Sequence, residues 1–281
     1  MPEKYATWDE LNAMNHPSTR SKKQRAKDSQ NGKEAKVVQI FRVIEAEGVK
    51  VFPDENGVFY ATYKTGKGHV ETQRTRGSSF KRFVINRFFG ATGRSLSSSQ
   101  LDDAINLAEA KTNEESHDVR VRVAGTPDEI FLDLGDNNWK VVRVTKDGWD
   151  VLPYDGESCV FLRPDGMLPL PEPDPSGSLE DLRAFVNGSK EEFVKVCGFI
   201  LACLHPCGPY PALLISGTQG SAKSTLSRFL IALIDNRKTK LSGLPKGEDD
   251  LLVAAQHRHL RYSPLFGPRD DENKVIGPAV L

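Results

Sequence analysis

Apolar residues along this chain recur at helical spacing, then at strand spacing, then at helical spacing again. Val37, Ile40, Phe41 and Ile44 form a helical stripe that stops near Gly48. Alternating runs then predict strands over 49–52 and 58–63. They are joined through Asn56-Gly57, a pair that tolerates the positive φ of a tight hairpin. The turn Thr65-Gly-Lys-Gly68 leads into a third expected strand over 69–75. Two helices are predicted next. One begins after Ser78/Ser79 and carries Phe80, Phe83, Val84 and Phe88; the other begins after Ser98/Ser99 and carries Leu101, Ile105 and Ala108. Strands are expected again over 119–123, 130–134, 139–144, 149–152 and 159–162, separated by Asp, Gly, Asn and Pro turn formers.

Pro164, Pro169, Pro171, Pro173 and Pro175 mark residues 164–177 as a stiff linker and a domain boundary. Ser178-Leu-Glu-Asp181 has the pattern of a capped helix start continuing to Val186, and a second helix is expected over 191–205. Its run from Val196 to Leu204 is apolar nearly all round, as in a buried helix, and is far shorter than the roughly 20 residues that span a bilayer. A strand over 211–216, a helix over 223–234, a short strand over 238–241 and a helix over 248–257 complete the pattern, which dissolves after Arg258. The segment before Val37 holds a capping box at Thr7-Trp8-Asp9-Glu10, then a polar tract rich in Lys and Arg that is expected to be disordered. The organisation predicted is therefore a basic arm (1–36), an α+β domain (37–163), the linker, a partial nucleotide-binding domain (178–257) and an irregular tail (258–281).

Composition narrows this little. The 281 residues carry 38 basic and 38 acidic side chains, with 38% hydrophobic and 27% charged residues, as in a soluble globular protein. Local charge says more. Lys64, Lys67, Arg74, Arg76, Lys81, Arg82, Arg87 and Arg94 are opposed by Glu71 alone, and Phe80, Phe83, Phe88 and Phe89 interleave with them. The next stretch is acidic, with Asp102, Asp103, Glu109, Glu114, Glu115 and Asp118. Two readings stand side by side: a positive face for DNA or RNA, or a solvated helix whose phenylalanines are core and whose charges pair across the domain. The four cysteines and the lack of an apolar N-terminal stretch predict a reduced, cytoplasmic protein. Cys197, Cys203, His205 and Cys207 do not have a usual zinc spacing, and the first two fall in an apolar helix.

The chemistry concentrates in Gly217-Thr-Gln-Gly-Ser-Ala-Lys-Ser-Thr225. This is the pattern G-x-x-x-x-G-K-[ST] of a phosphate-binding loop, with Ala222 where the second glycine is usual. Strand, glycine-bearing loop and helix follow in the order the motif needs. Gly217 and Gly220 let the backbone curl so that the N–H groups of residues 217–225 converge on a phosphate, and the start of the following helix adds the positive end of its dipole. Lys223 supplies a charge for the β- and γ-phosphates and is the candidate catalytic residue; the Ser224 hydroxyl is the candidate Mg²⁺ ligand. The cofactor set expected is ATP with Mg²⁺, held by Gly217, Thr218, Gln219, Gly220, Ser221, Ala222, Lys223, Ser224 and Thr225. The methyl group of Ala222 is compatible with a helical conformation there and excludes one that glycine alone adopts.

Turnover needs more than the loop: an apolar strand ending in Asp, to hold Mg²⁺, and often a following Glu. Downstream of Lys223, Asp235 ends a helix, Asp249 and Asp250 precede an apolar run, and Asp270, Asp271 and Glu272 follow Gly267-Pro268-Arg269. Binding is therefore expected and hydrolysis is not. The fold class expected is an α+β N-terminal domain followed by an incomplete α/β P-loop NTPase domain, in a truncated chain whose frame changes after about His257. A non-enzymatic fragment whose N-terminal domain binds nucleic acid or a partner protein is the alternative. A small-molecule kinase is disfavoured, since no acidic base or lid arginines stand in a recognisable arrangement.

Met167-Leu-Pro-Leu-Pro-Glu172, Gly208 to Thr225, Leu233-Ile-Asp235 and Asp249 to Gln256 resemble a family of bacterial and prophage ATP-binding proteins, the primase- and helicase-like proteins of mobile elements. The similarity runs from about residue 37 to 256. Alanine is common in that family where Ala222 stands. The resemblance implies ATP binding coupled to DNA transactions, DNA in preference to RNA, oligomers in the full-length relatives and no membrane partner. The family's Asp-Asn-terminated strand is missing after Gln256.

Overall fold

The computed structural model describes residues 36–218, 220–238, 259, 262–263 and 279–280. Residues 1–35 of the basic arm, Gln219, most of the expected strand at 238–241 and the expected helix at 248–257 lie outside the described residues.

Helix α1 (Lys36–Ala46) leads into β1 (Lys50–Pro53), β2 (Phe59–Lys64) and β3 (Val70–Arg74), an antiparallel sheet in sequence order. The first hairpin closes as its sequence requires. Gly57 takes φ 77°, and the Asp54 carboxylate accepts from the N–H groups of Asn56 (2.9 Å) and Val58 (2.8 Å). Helices α2 (Ser78–Thr92) and α3 (Ser98–Lys111) follow. Helix α3 starts one residue earlier than its serines suggest, because Ser97 and Gln100 form a reciprocal capping box. At α2 the cap is Gly77, with no side-chain hydrogen bond.

Strand periodicity explains why this sheet is covered on both sides. Val51, Ala61 and Tyr63 face Ile40, Phe41, Phe80, Val84, Phe88 and Ile105 of the helices. The alternate residues Phe52 and Tyr60 face Val121 and Leu162 of the following β region. Each such large side chain, once buried, contributes about 1.5–3 kcal/mol before entropy is counted.

That β region holds a short parallel pair, β4 (Val119–Arg120) with β9 (Val160–Phe161), and an antiparallel meander of β5 (Val123–Gly125), β6 (Glu129–Asp133), β7 (Lys140–Thr145) and β8 (Gly148–Pro153). The strand expected over 119–123 is split in two at Arg122. That residue takes φ 75°, in the left-handed region, and its side chain turns inward with no exposed surface. For a residue with a Cβ this conformation costs roughly 1–2 kcal/mol, so the surroundings must hold it.

The proline-rich segment is an interlocking strap. The Leu170 N–H donates to the Leu134 carbonyl (2.8 Å) and the Leu168 N–H to the Asn236 carbonyl (2.9 Å). Lys238 N–H donates to the Gly166 carbonyl (3.0 Å), and the Asn236 amide to the Pro169 carbonyl (3.0 Å). Proline removes donors at alternate positions, and the residues between them supply the N–H groups that remain.

Beyond the strap, a 3₁₀ turn (Leu179–Phe185) capped by Ser178 leads to α4 (Lys190–Cys203), β10 (Leu213–Leu214) and α5 (Lys223–Ile234). Phe193, Val196, Phe199, Ile200 and Cys203 of α4 pack against Leu230, Ile231 and Ile234 of α5. The tail contributes β11 (Tyr262–Ser263) and β12 (Ala279–Val280); β12 lies between β10 and β11, antiparallel to both. Among the described residues β10 has no parallel neighbour of the kind an open α/β sheet supplies. No helix among the described residues is long and apolar enough to cross a membrane.

Candidate functional site

The site predicted from sequence is a loop between β10 and α5, and the structure brings its described members together. Leu213 and Ile215 anchor the approach in the α4–α5 core, alternating with exposed Leu214. Gly217 takes φ 152° and Gly220 φ 82°. A Cβ on Gly217 would lie 2.7 Å from the Ser221 hydroxyl, which would have to turn away, and the φ of 152° is one that side chains rarely adopt. The Ser221 N–H donates to the Thr218 carbonyl (3.2 Å), which closes the turn.

Lys223 opens α5 and folds back over this loop. Its Nζ donates to the carbonyls of Gly217 and Thr218, each at 2.7 Å, and lies 3.4 Å from the Ser221 hydroxyl. Among the described residues it makes no ion pair, and its ammonium is held by neutral carbonyl dipoles. Ser224 and Thr225 are exposed at the first turn of α5. The first N–H groups of a helix have no partner within it, and Lys223 is the first residue of α5. Backbone donors, a cation and an exposed hydroxyl at a helix start form a donor set that fits a polyphosphate with its metal.

Ala222 departs from expectation. It is the residue before α5 and takes φ 60°, ψ 17°, the left-handed region, where a helical conformation was expected. Its carbonyl accepts the Leu226 N–H (2.9 Å), the first bond of the helix. The methyl group therefore sits in a conformation that favours glycine.

The other end of α5 is fixed by residues that sequence reasoning passed over. Asp235 caps α5 and is fully buried. Its carboxylate accepts from Arg122 Nε (3.4 Å), Arg237 Nε (2.9 Å) and the His259 N–H (3.1 Å). The Arg122 guanidinium also donates to the carbonyls of Asp133 (3.0 Å), Leu168 (2.5 Å) and Asn236 (3.0 Å). Burial lowers the pKa of Arg122 from its ordinary value, opposed by Asp235 and Asp133. One side chain thus ties the β meander, the proline strap and the end of the loop's helix together. Beside it Arg163 donates to both carboxylate oxygens of Asp133 (2.8 and 2.5 Å) and lies over Trp139. Burial also lowers the pKa of His259, whose Nε2 is 2.5 Å from the Cys203 carbonyl.

The basic run at 64–94 separates into two classes. Arg76 pairs with Glu109, Lys81 with Asp102 (2.6 Å) and Arg87 with Glu47 (3.1 Å), while Phe80 and Phe88 are core. These residues tie α2 and the turn before it to α3 and to the residue after α1. Arg82 and Arg94 make no ion pair among the described residues, and Phe89 is 58% exposed.

A family model described as actinomycete integrative conjugative element replication protein matches residues 178–260, under a third of the chain. The matched stretch runs from the capping box at Ser178 through α4, the loop and α5 to just past His259. It links the chain to replication of a mobile element. No curated protein matches the chain.

Proposed function

We propose that this protein is a nucleotide-binding replication protein of a mobile element, and that the loop 217–225 holds Mg-ATP. The observation that carries the reading is the position of Lys223, folded over a two-glycine curl at the start of α5 by the carbonyls of Gly217 and Thr218. In this reading the backbone N–H groups of the loop receive the phosphates, Lys223 neutralises their outer charge and Ser224 holds the metal. ATP supplies the phosphates; the chain supplies the cradle, the cation and the rigid helix behind it.

The test is calorimetric titration of Mg-ATP into the purified chain and into Lys223→Ala. The reading requires binding in the first and its loss in the second, with unchanged melting temperatures. Equal binding by both proteins refutes it. A phosphate-release assay on the same pair reads turnover separately, since hydrolysis also needs an acidic group on the metal. The antiparallel pairing of β10 with β12 favours a second reading, in which the loop is a structural turn and the activity lies in the N-terminal half. Absence of nucleotide binding in the unsubstituted chain selects that one.

A further inference from the structure

Helix α2 presents a continuous stripe that the fold does not use. Phe80, Val84 and Phe88 point into the core. Arg82, Ile85, Asn86 and Phe89, at i, i+3, i+4 and i+7, fall on the opposite side, and all four are exposed. Ile85 is 40% and Phe89 58% exposed, a cost in water that an unpartnered helix would avoid with polar residues. Helix α2 contains no acidic residue, and Arg94 follows its left-handed glycine cap at Gly93. The basic residues flanking the stripe, Lys81 and Arg87, are tied to Asp102 and Glu47; Arg82 and Arg94 make no ion pair among the described residues. Among the described residues, Asp102 and Glu47 thus neutralise the flanks, and Arg82 is the charge left on the stripe.

We propose that this stripe docks in the major groove of duplex DNA. Charge sets the partner class: Arg82 on the stripe and Arg94 just beyond the helix make no ion pair among the described residues, and with no carboxylate on the helix they suit a polyanion. The side-chain types suit base edges as well as phosphates. Arginine pairs with guanine, asparagine with adenine, and apolar side chains meet the thymine methyl group. Dimensions agree. Seven residues of helix span roughly 10 Å, and a helix of about 10–12 Å diameter enters a groove about 12 Å wide. The match to a replication protein of a mobile element is consistent with a DNA partner. The inference does not depend on the nucleotide loop.

The experiment is fluorescence anisotropy of the full chain with a labelled duplex oligonucleotide across a salt series. Arg82→Ala/Arg94→Ala, Phe89→Ala and the unsubstituted chain are compared. Helix content and melting temperature are checked for each, and all three positions are solvent-facing. The double arginine variant is expected to bind about tenfold more weakly and to flatten the log–log salt slope by about 2. Phe89→Ala is expected to weaken binding at an unchanged slope. The proposal is overturned if the unsubstituted chain does not bind duplex, if it binds a single strand of the same sequence more tightly, or if both variants bind as the unsubstituted chain does. It is equally overturned if Phe89→Ala changes the molecular mass in light scattering and leaves DNA binding intact, which would assign the stripe to a protein interface.

Discussion

Substituting Asp235 by Ala should loosen the N-terminal half of the molecule from a position in the C-terminal half. Asp235 is fully buried and compensates two guanidiniums, with side chains of Arg122 at 0% and Arg237 at 6% exposure. Removing one partner of such a group leaves charge buried without compensation, at a cost of about 3–5 kcal/mol. Arg122 keeps three carbonyl acceptors, on Asp133, Leu168 and Asn236, so the lower end applies, about 3 kcal/mol. That is a large part of the roughly 5–15 kcal/mol that stabilises a typical domain. At about 2–4 °C per kcal/mol for a chain of this size, the melting temperature should fall by roughly 6–12 °C. Trp139 and Trp149 lie in the β meander region, so tryptophan fluorescence reports the half that does not contain the substitution. Both the fluorescence and the far-ultraviolet transitions should move down together. Asp235→Asn, which keeps an acceptor and loses the charge, should fall between. Arg122→Met should lower stability too, and the double variant should lose less than the two single losses combined, because each removes the same contact. A fluorescence melt within about 2 °C of the unsubstituted chain would refute the coupling.

Two further outcomes follow from local geometry. Ala222→Gly relieves a left-handed alanine at the start of α5 and, after the added freedom of the unfolded chain, should stabilise by about 0.5–1 kcal/mol; a lower melting temperature would show that the loop does not hold this conformation. Burial lowers the pKa of His259 below its ordinary value of 6.5, so the unfolded chain takes up the proton more readily. The stability from neutral His259 is therefore complete above about pH 6.5 and declines as pH falls below it, and His259→Gln should flatten the pH dependence of the melting temperature in that window.

The elements were legible where one physical signal dominated. Hydrophobic period gave α1, α2, α4 and α5, turn chemistry gave the Asn56-Gly57 hairpin, and Ser189 with Glu192 in their capping box marks the true start of α4. The loop was legible because glycine spacing, a lysine and a helix start are all local. What escaped was long-range. Val-Arg-Val-Arg-Val over 119–123 is written as an alternating strand with both arginines on its polar face. Nothing local announces that Arg122 takes a positive φ and turns inward, since the groups that repay its desolvation come from Leu168, Asp235 and Asn236, far along the chain. Asp235, read as a helix end, gained its meaning from the same contact.

The proline-rich segment teaches the complementary lesson. Five prolines in 164–177 signal stiffness, which by itself suggests a spacer between domains. The same property makes the segment a good strap: its backbone is already extended, so ordering Leu168 and Leu170 against Asn236 and Leu134 costs less entropy than ordering a flexible chain would. The strap runs between the two partners of the Arg122–Asp235 contact, because it hydrogen-bonds both to Leu134 after β6 and to Asn236 after α5. Charge patterning fell between these cases. The sequence left a DNA-facing surface and internal pairing as alternatives for the 64–94 run. Internal pairing accounts for Arg76, Lys81 and Arg87, and the solvent-facing stripe of Arg82, Ile85, Asn86 and Phe89 is the part of that run for which we propose a DNA partner.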